Sequence, residues 1–398
     1  MSRLATLSFL VLVLAACSTM GPRRHVKEGV RAEHAAAEVP EDQLLDVWIE
    51  LFDPGKLPKD EDDARGLSPE IRKAEARYIP VQLRDTLEKT GYWGAVRVVP
   101  RATEGAEVLV RGLILASDGE VLRLRITALD ATGRQWFDTT YEGEVTPEAY
   151  QQAQQSGREA FQFLYNAIAN DLARYRATLD SQQTLAIRRV AALRFARDLA
   201  ADAFSAYLAQ DEKGRYSLVR LPAADDPMYH RVSAIRERDF LLIDTLNGHF
   251  DNLYQEMNAP YLEWRKARID ELVAMRKLQS EARQRKLMGA AAIIGAIAIE
   301  ALGNNSTRAS TGTLRDVMIL GGAYAIKTGM DKASEATIHQ DVIEELGASF
   351  ASEAQPLVVE VEGKTYELTG SAEAQYEKWR GLLKRIYAAE TGLPAGGD

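Results

Sequence analysis

The chain has 398 residues, 46% of them hydrophobic, a formal net charge of −9 and a single cysteine. That length is enough to bury a sizeable core in two or three units. One cysteine excludes an intramolecular disulfide and a thiolate-built structural zinc site, and the acidic balance excludes a general binder of nucleic acid or anionic lipid.

In chain order, the first element is a secretory signal. Arg3 gives a positive start, Leu4 to Ala16 are apolar, and two small residues precede Cys17. Crossing a bilayer takes about 20 apolar residues, so this run is too short to be a span. Leu14-Ala15-Ala16-Cys17 resembles the lipobox of bacterial lipoproteins. The resemblance implies cleavage before Cys17 and acylation of its thiol and new amino terminus; the alternative is an ordinary cleaved signal with an incidental cysteine. A three-chain lipid, at about 0.8 kcal/mol per buried methylene, would give lasting attachment. In such lipoproteins an aspartate after the cysteine favours the inner membrane, whereas Ser18 is compatible with the outer one. An outer-membrane protein facing the periplasm is therefore expected.

Residues 17–42 are polar, charged and alanine-rich, with Gly21-Pro22 and Pro40 as breakers, and read as a flexible lipidated tether. An α/β unit is expected over 43–147. Leu45 to Phe52 form a strand ended by Asp53-Pro54-Gly55, and an acidic loop runs from Lys59 to Gly66. Ser68-Pro69-Glu70 opens a helix carrying Ile79, Leu83 and Leu87 on one face, with a kink or break expected at Pro80. Strands follow at Ala95–Pro100, Val108–Ala116, Val121–Leu129 and Gln135–Gly143. Ser117-Asp118-Gly119-Glu120 and Asp130-Ala131-Thr132-Gly133 form the turns between the last three.

This order, with Val47–Asp53, Leu83–Pro100 and the run LRLRITALDATGRQWFDTTYEG within Ala106–Val145, resembles a family of small α/β domains. These are the TolB N-terminal-like and curli-secretion-lipoprotein-like domains, also found in lipoprotein activators of penicillin-binding proteins. The resemblance covers about a quarter of the chain, and Phe52-Asp53-Pro54 departs from the family's usual Pro-Phe after strand one. It implies protein contacts and assembly rather than chemistry.

Residues 148–286 read as helical. Phe161, Leu164, Ile168 and Leu172 share a face, as do Leu193, Ala196, Leu199, Ala203 and Tyr207. Gly214 to Pro222 is a loop or short strand. A third stripe runs through Val232, Ile235, Leu242, Leu246, Phe250, Leu253 and Met257, with a break expected at Asn258-Ala259-Pro260. Residues 287–335 read as a helical hairpin rich in glycine and alanine, with uncharged runs Leu287–Ile299 and Val317–Ile326. Ala291 and Gly295, then Gly321, Ala325 and Gly329, recur at four-residue spacing, which lets helix backbones approach closely. Two readings stay open: a hairpin buried in the protein or an oligomer interface, or one that enters a membrane beside Arg283, Arg285 and Lys286. Residues 336–398 close the chain with a hairpin, Pro356–Val361 and Lys364–Leu368. A helix capped by Ser371 follows, carrying Tyr376, Trp379, Leu383 and Ile386. The expected class is α+β.

Motifs for chemistry are missing. The chain has no Gly-x-Ser-x-Gly elbow and no His-Glu-x-x-His. Gly363-Lys364-Thr365 has Val358 where a phosphate loop needs its first glycine, and it falls in a hairpin. Asp60-Glu61-Asp62-Asp63 lacks the turn glycine and terminal glutamate of a calcium loop. His25, His34, His230, His249 and His339 are scattered. We therefore expect no catalytic residue, metal or cofactor. The expected function is a non-enzymatic scaffold or accessory factor with a periplasmic protein partner. The alternatives are an oligomeric pore-forming lipoprotein using residues 287–330 and an envelope hydrolase with an unrecognised site.

Overall fold

The computed structural model describes residues 21–57, 67–156, 158–302, 345, 357–361 and 364–391. Its centre is a mixed six-stranded sheet. In chain order, β1 (Arg23–Val26), β2 (Val47–Glu50), α1 (Pro69–Thr90), β3 (Val96–Val99), β4 (Val108–Ser117), β5 (Val121–Asp130) and β6 (Gln135–Glu144) build it, in the spatial order β1-β6-β5-β4-β2-β3. Only β5 runs against the other five strands. Helices α2 (Pro147–Ser156), α3 (Gln162–Arg176), α4 (Ser181–Leu199) and the one-turn α5 (Ala201–Phe204) follow. The hairpin β7 (Leu208–Gln210) and β8 (Tyr216–Leu218) leads into α6 (Pro227–Leu302). The described chain closes with the antiparallel pair β9 (Leu357–Val361) and β10 (Lys364–Leu368), then α7 (Ala372–Thr391). The class is α+β, as expected.

Local chemistry accounts for the main elements. In β5, Leu122, Leu124, Ile126 and Ala128 are fully buried, while Arg123, Arg125 and Thr127 take the opposite face, the period-two pattern of a strand between unlike surfaces. The turn before it is organised by Asp118, whose carboxylate accepts from the amides of Glu120 (2.9 Å) and Val121 (2.8 Å). Gly119 has φ +96, and a Cβ there would lie 2.8 Å from the carbonyl oxygen of Arg265, so only glycine fits. Helix α1 starts with Ser68 Oγ accepting from the amides of Glu70 and Ile71, and stops at left-handed Gly91. Asp180 and Gln183 form a reciprocal capping box on α4, and Ser371 caps α7 through the Ala374 amide.

Three sequence expectations need correction. Residues 17–42 are not wholly a tether, because Arg23–Val26 form β1, parallel to β6 with Arg23 opposite Thr140 and Val26 opposite Gly143. The chain beyond β1 is strapped to α3. Asn170 accepts from the Glu33 amide and donates to the Arg31 carbonyl, and Asn166 donates to the Val30 carbonyl. Arg24 adds an ion pair with Asp171. Backbone bonds and charges hold this segment, so hydropathy patterning does not register it.

The other two concern proline. Of the kink or break expected at Pro80, the break is corrected: helix α1 runs through it. Pro80 has no N–H for the carbonyl of Ala76, and that carbonyl accepts instead from the Phe52 amide at 3.0 Å. Helix α6 likewise passes Pro260. Met257 and Tyr261 are fully buried on either side of that proline, and Asn258 accepts from the Tyr78 hydroxyl at 2.8 Å, so tertiary contacts hold the helix through it.

Described residues on both sides of position 147 share one core. Sheet, α1, α3, α4, α6 and α7 contribute to one hydrophobic cluster. Every stripe residue expected on α3, α6 and α7 is buried. On the second stripe Leu193, Ala196 and Leu199 are buried, while Ala203 and Tyr207 are half-buried because α4 ends at Leu199 and the chain changes direction. The first arm of the Gly/Ala-rich segment continues α6 as far as Leu302.

Candidate functional site

The two faces of the sheet differ in what covers them. One is roofed by α1 and α3: Tyr141 donates to Asp171 of α3 at 2.7 Å, and a Cβ on Gly143 would lie 2.8 Å from the Phe163 ring. On the other face, α6 covers the β2–β3 side. The Phe240 ring meets Trp48 edge-on, and Arg97 pairs with Asp244 at 2.6 Å. Asn247 closes the β3 edge, its side-chain amide accepting from the Val98 N–H (2.8 Å) and donating to the Val98 carbonyl (2.9 Å). One side chain thus satisfies both backbone groups of Val98, which would otherwise be open to strand pairing.

The β4-β5-β6-β1 side of that second face carries a lattice of opposite charges between strands. Arg23 of β1 and Arg123 of β5 both bind Glu142 of β6; Arg125 binds Asp138 at 2.6 Å and Arg111 binds Glu50 at 2.9 Å. Leu113 lies across from Arg125 among these charges, half-buried. Burial pushes the Glu142 carboxyl up, but hydrogen bonds and charge from Arg23 and Arg123 outweigh it and hold it below the ordinary value. Hydrogen bonds from Arg125 hold Asp138 low as well.

Parallel pairing of β1 with β6 also gathers His25, Glu142 and Glu144 within 4.8 Å of one another, a grouping not visible in the sequence. The two guanidinium groups already on Glu142 oppose a cation there, so the trio belongs to the ion-pair lattice. His34 meets the Lys89 carbonyl and His230 the Ala224 carbonyl, each through one ring nitrogen, and burial pushes the His249 imidazole down.

Beside the lattice, a cleft of about 370 Å³ opens between the β3–β4 loop, α4 and α7. Its floor is the cross-strand pair Leu109 and Leu129, with Ala102, Ala106 and Ala131 around it. Its walls are charged. Arg194 binds Glu104 and donates to the Ala131 carbonyl at 2.7 Å; Arg380 binds Asp198 at 2.6 Å and Asp239 at 3.0 Å. Burial pushes the Asp239 carboxyl up, against Arg380 and the Trp379 indole N–H. Sequence reasoning missed this site, because its residues lie between positions 101 and 384 and no local motif joins them.

A further polar centre lies on the roofed face. Arg265, 0% exposed, pairs with Glu159, 2% exposed, and stacks on Tyr261 with 4.1 Å to the ring centre. Tyr261 and Ser117 both donate to Glu75, at 2.6 and 2.5 Å. Solvent does not reach this cluster, which ties α6 to α1 and to the segment before α3.

Of the residues singled out in the sequence, Cys17, Gly321, Ala325 and Gly329 lie outside the described residues, as do Asp60–Asp63 and His339. Ala291 and Gly295 lie within the backbone of α6. Among the described residues no helix is long and apolar enough to cross a membrane. Lys364 and Thr365 begin β10, the hairpin context that separates them from a phosphate loop. Compared with protein-family models, curated proteins and solved structures, the chain matches none.

Proposed function

We propose that this chain is a lipoprotein of the outer membrane, anchored through acylated Cys17 and facing the periplasm, that acts as a non-enzymatic scaffold for a protein partner. The supporting observation is the division of the sheet: one face is roofed by helices, and half of the other carries the charged lattice around Glu142. The strap over 21–35 supports the same reading. Four residue steps separate Cys17 from Gly21, at most about 15 Å of chain. A lipid on Cys17 would therefore hold the sheet close to the bilayer rather than on a long leash.

Position along the sheet bears on what the rest of the chain would do. Gly21 lies against Asp138, opposite Thr127 on β5, whereas Arg276 of α6 pairs with Glu120 at the β4–β5 turn. Seven residue steps, from Glu120 to Thr127, separate these levels, about 23 Å at ~3.3 Å each. The lipid end and the exit of α6 are thus apart, which favours a partner for residues 287–330 over insertion beside the anchor.

Photo-crosslinking from Leu113 and Arg125 in intact cells tests the reading, with exposed Lys213 as the control site. Reproducible capture of one envelope protein at the first two positions and not at the third is expected. Equal, non-specific capture at all three positions would contradict it. The pore-forming alternative draws support from the helical continuity of α6 through Leu287–Ile299. Liposome leakage that is abolished by Gly321→Leu with Gly329→Leu would favour it.

A further inference from the structure

The cleft between the β3–β4 loop, α4 and α7 combines features of a ligand site. Its volume, about 370 Å³, lies within the range that encloses small organic molecules. The floor is apolar, made by Leu109 and Leu129. Around that floor stand four arginines and one lysine against three carboxylates, in a protein whose overall charge is −9. Each of the four arginines already holds a carboxylate, which leaves the lysine, Lys384, as the lining cation on which a ligand anion can act.

The cations are not equally committed. Arg194 and Arg380 are bound to carboxylates inside the wall, which fixes their positions. Arg101 and Arg111 hold Glu377 and Glu50 at the rim and stay more than half exposed. Lys384, half-buried on α7, has no hydrogen-bond or carboxylate partner among the described residues. A half-buried ammonium without a counter-charge, set over an apolar floor, is a place where a ligand oxyanion gains a charge-assisted bond. The loop wall is tied to its neighbours by two hydrogen bonds. Arg236 donates to the Gly105 carbonyl at 3.1 Å, and Thr103 is bonded to the Tyr376 hydroxyl at 2.9 Å.

We infer that this cleft binds a small organic oxyanion, a carboxylate or phosphate carried on an apolar body, with Lys384 as its counter-charge and Leu109 and Leu129 beneath the apolar part. The site shares Arg111 with the edge of the charged lattice and does not involve the lipid anchor.

Isothermal titration of the purified chain with naphthyl phosphate, naphthoate, inorganic phosphate and naphthol tests this. One-to-one binding of at least one of the two naphthyl anions is expected, with inorganic phosphate and naphthol at least tenfold weaker. The stronger naphthyl anion identifies the head group. Lys384→Ala should weaken that anion at least tenfold and Lys384→Arg should restore it, with circular dichroism unchanged in both. Leu129→Asp should abolish binding, and Lys213→Ala should leave it unchanged. No saturable binding of either naphthyl anion at millimolar concentration, or equal binding by wild type and Lys384→Ala, would overturn the inference.

Discussion

The amide of Phe52 donates to the carbonyl of Ala76, the group that Pro80 leaves without its donor in the helix. A single bond therefore joins the segment just after β2 to the middle of α1 and satisfies the carbonyl that Pro80 frees. The Phe52 amide should exchange slowly with solvent, at a rate comparable to those of the amides within β2. Hydrogen exchange read by NMR checks this; exchange as fast as in the loop 53–57 would contradict it.

Asn247 plays the corresponding part at the β3 edge, where it bonds both backbone groups of Val98. Asn247→Ala leaves two buried backbone groups unpaired and should cost about 1–3 kcal/mol. Urea unfolding measures the cost, and an unchanged midpoint would show that water replaces the bracket freely.

Arg265 and Glu159 form an ion pair almost wholly removed from solvent. Arg265→Ala should destabilise by about 3–5 kcal/mol, since it strands the Glu159 charge. Arg265→Met combined with Glu159→Leu should recover much of that loss, because neither charge is then left buried. A double variant as unstable as the single one would locate the cost in lost stacking on Tyr261 instead.

Acid should loosen β1. Glu142 is held below its ordinary value in the folded chain, so its pairing with Arg23 and Arg123 contributes full stability above about pH 4.3. That contribution is lost as pH falls through the lower folded-state value. Glu142→Gln should lower the urea midpoint at neutral pH and flatten its fall between about pH 5 and pH 2. A variant with the wild-type acid profile would remove Glu142 from the account.

Much of the fold was legible because it rests on local periodicity. The alternation of Leu122 to Ala128, the Ser68-Pro69 helix start and the stripe from Val232 to Met257 each identify an element and its buried face. What was not legible depends on distant partners. Strand β1 reads as Arg-Arg-His-Val and gains its place from β6 and Asp171. The two prolines stay helical through Phe52, Tyr78 and the burial of their neighbours. Lys384 becomes part of a cleft only when α7 meets the loop at 101–106. Spacing along a chain carries no record of such meetings.

If, as proposed, a lipid on Cys17 holds the protein at the membrane, removing the thiol should release it. Fractionation of cells producing the wild-type chain or Cys17→Ser, followed by immunoblotting, tests it directly. Wild-type protein is expected in the outer-membrane fraction and the variant among soluble periplasmic proteins. A Cys17→Ser protein that is exported yet still sediments with the membrane would contradict it and assign the attachment to another part of the chain.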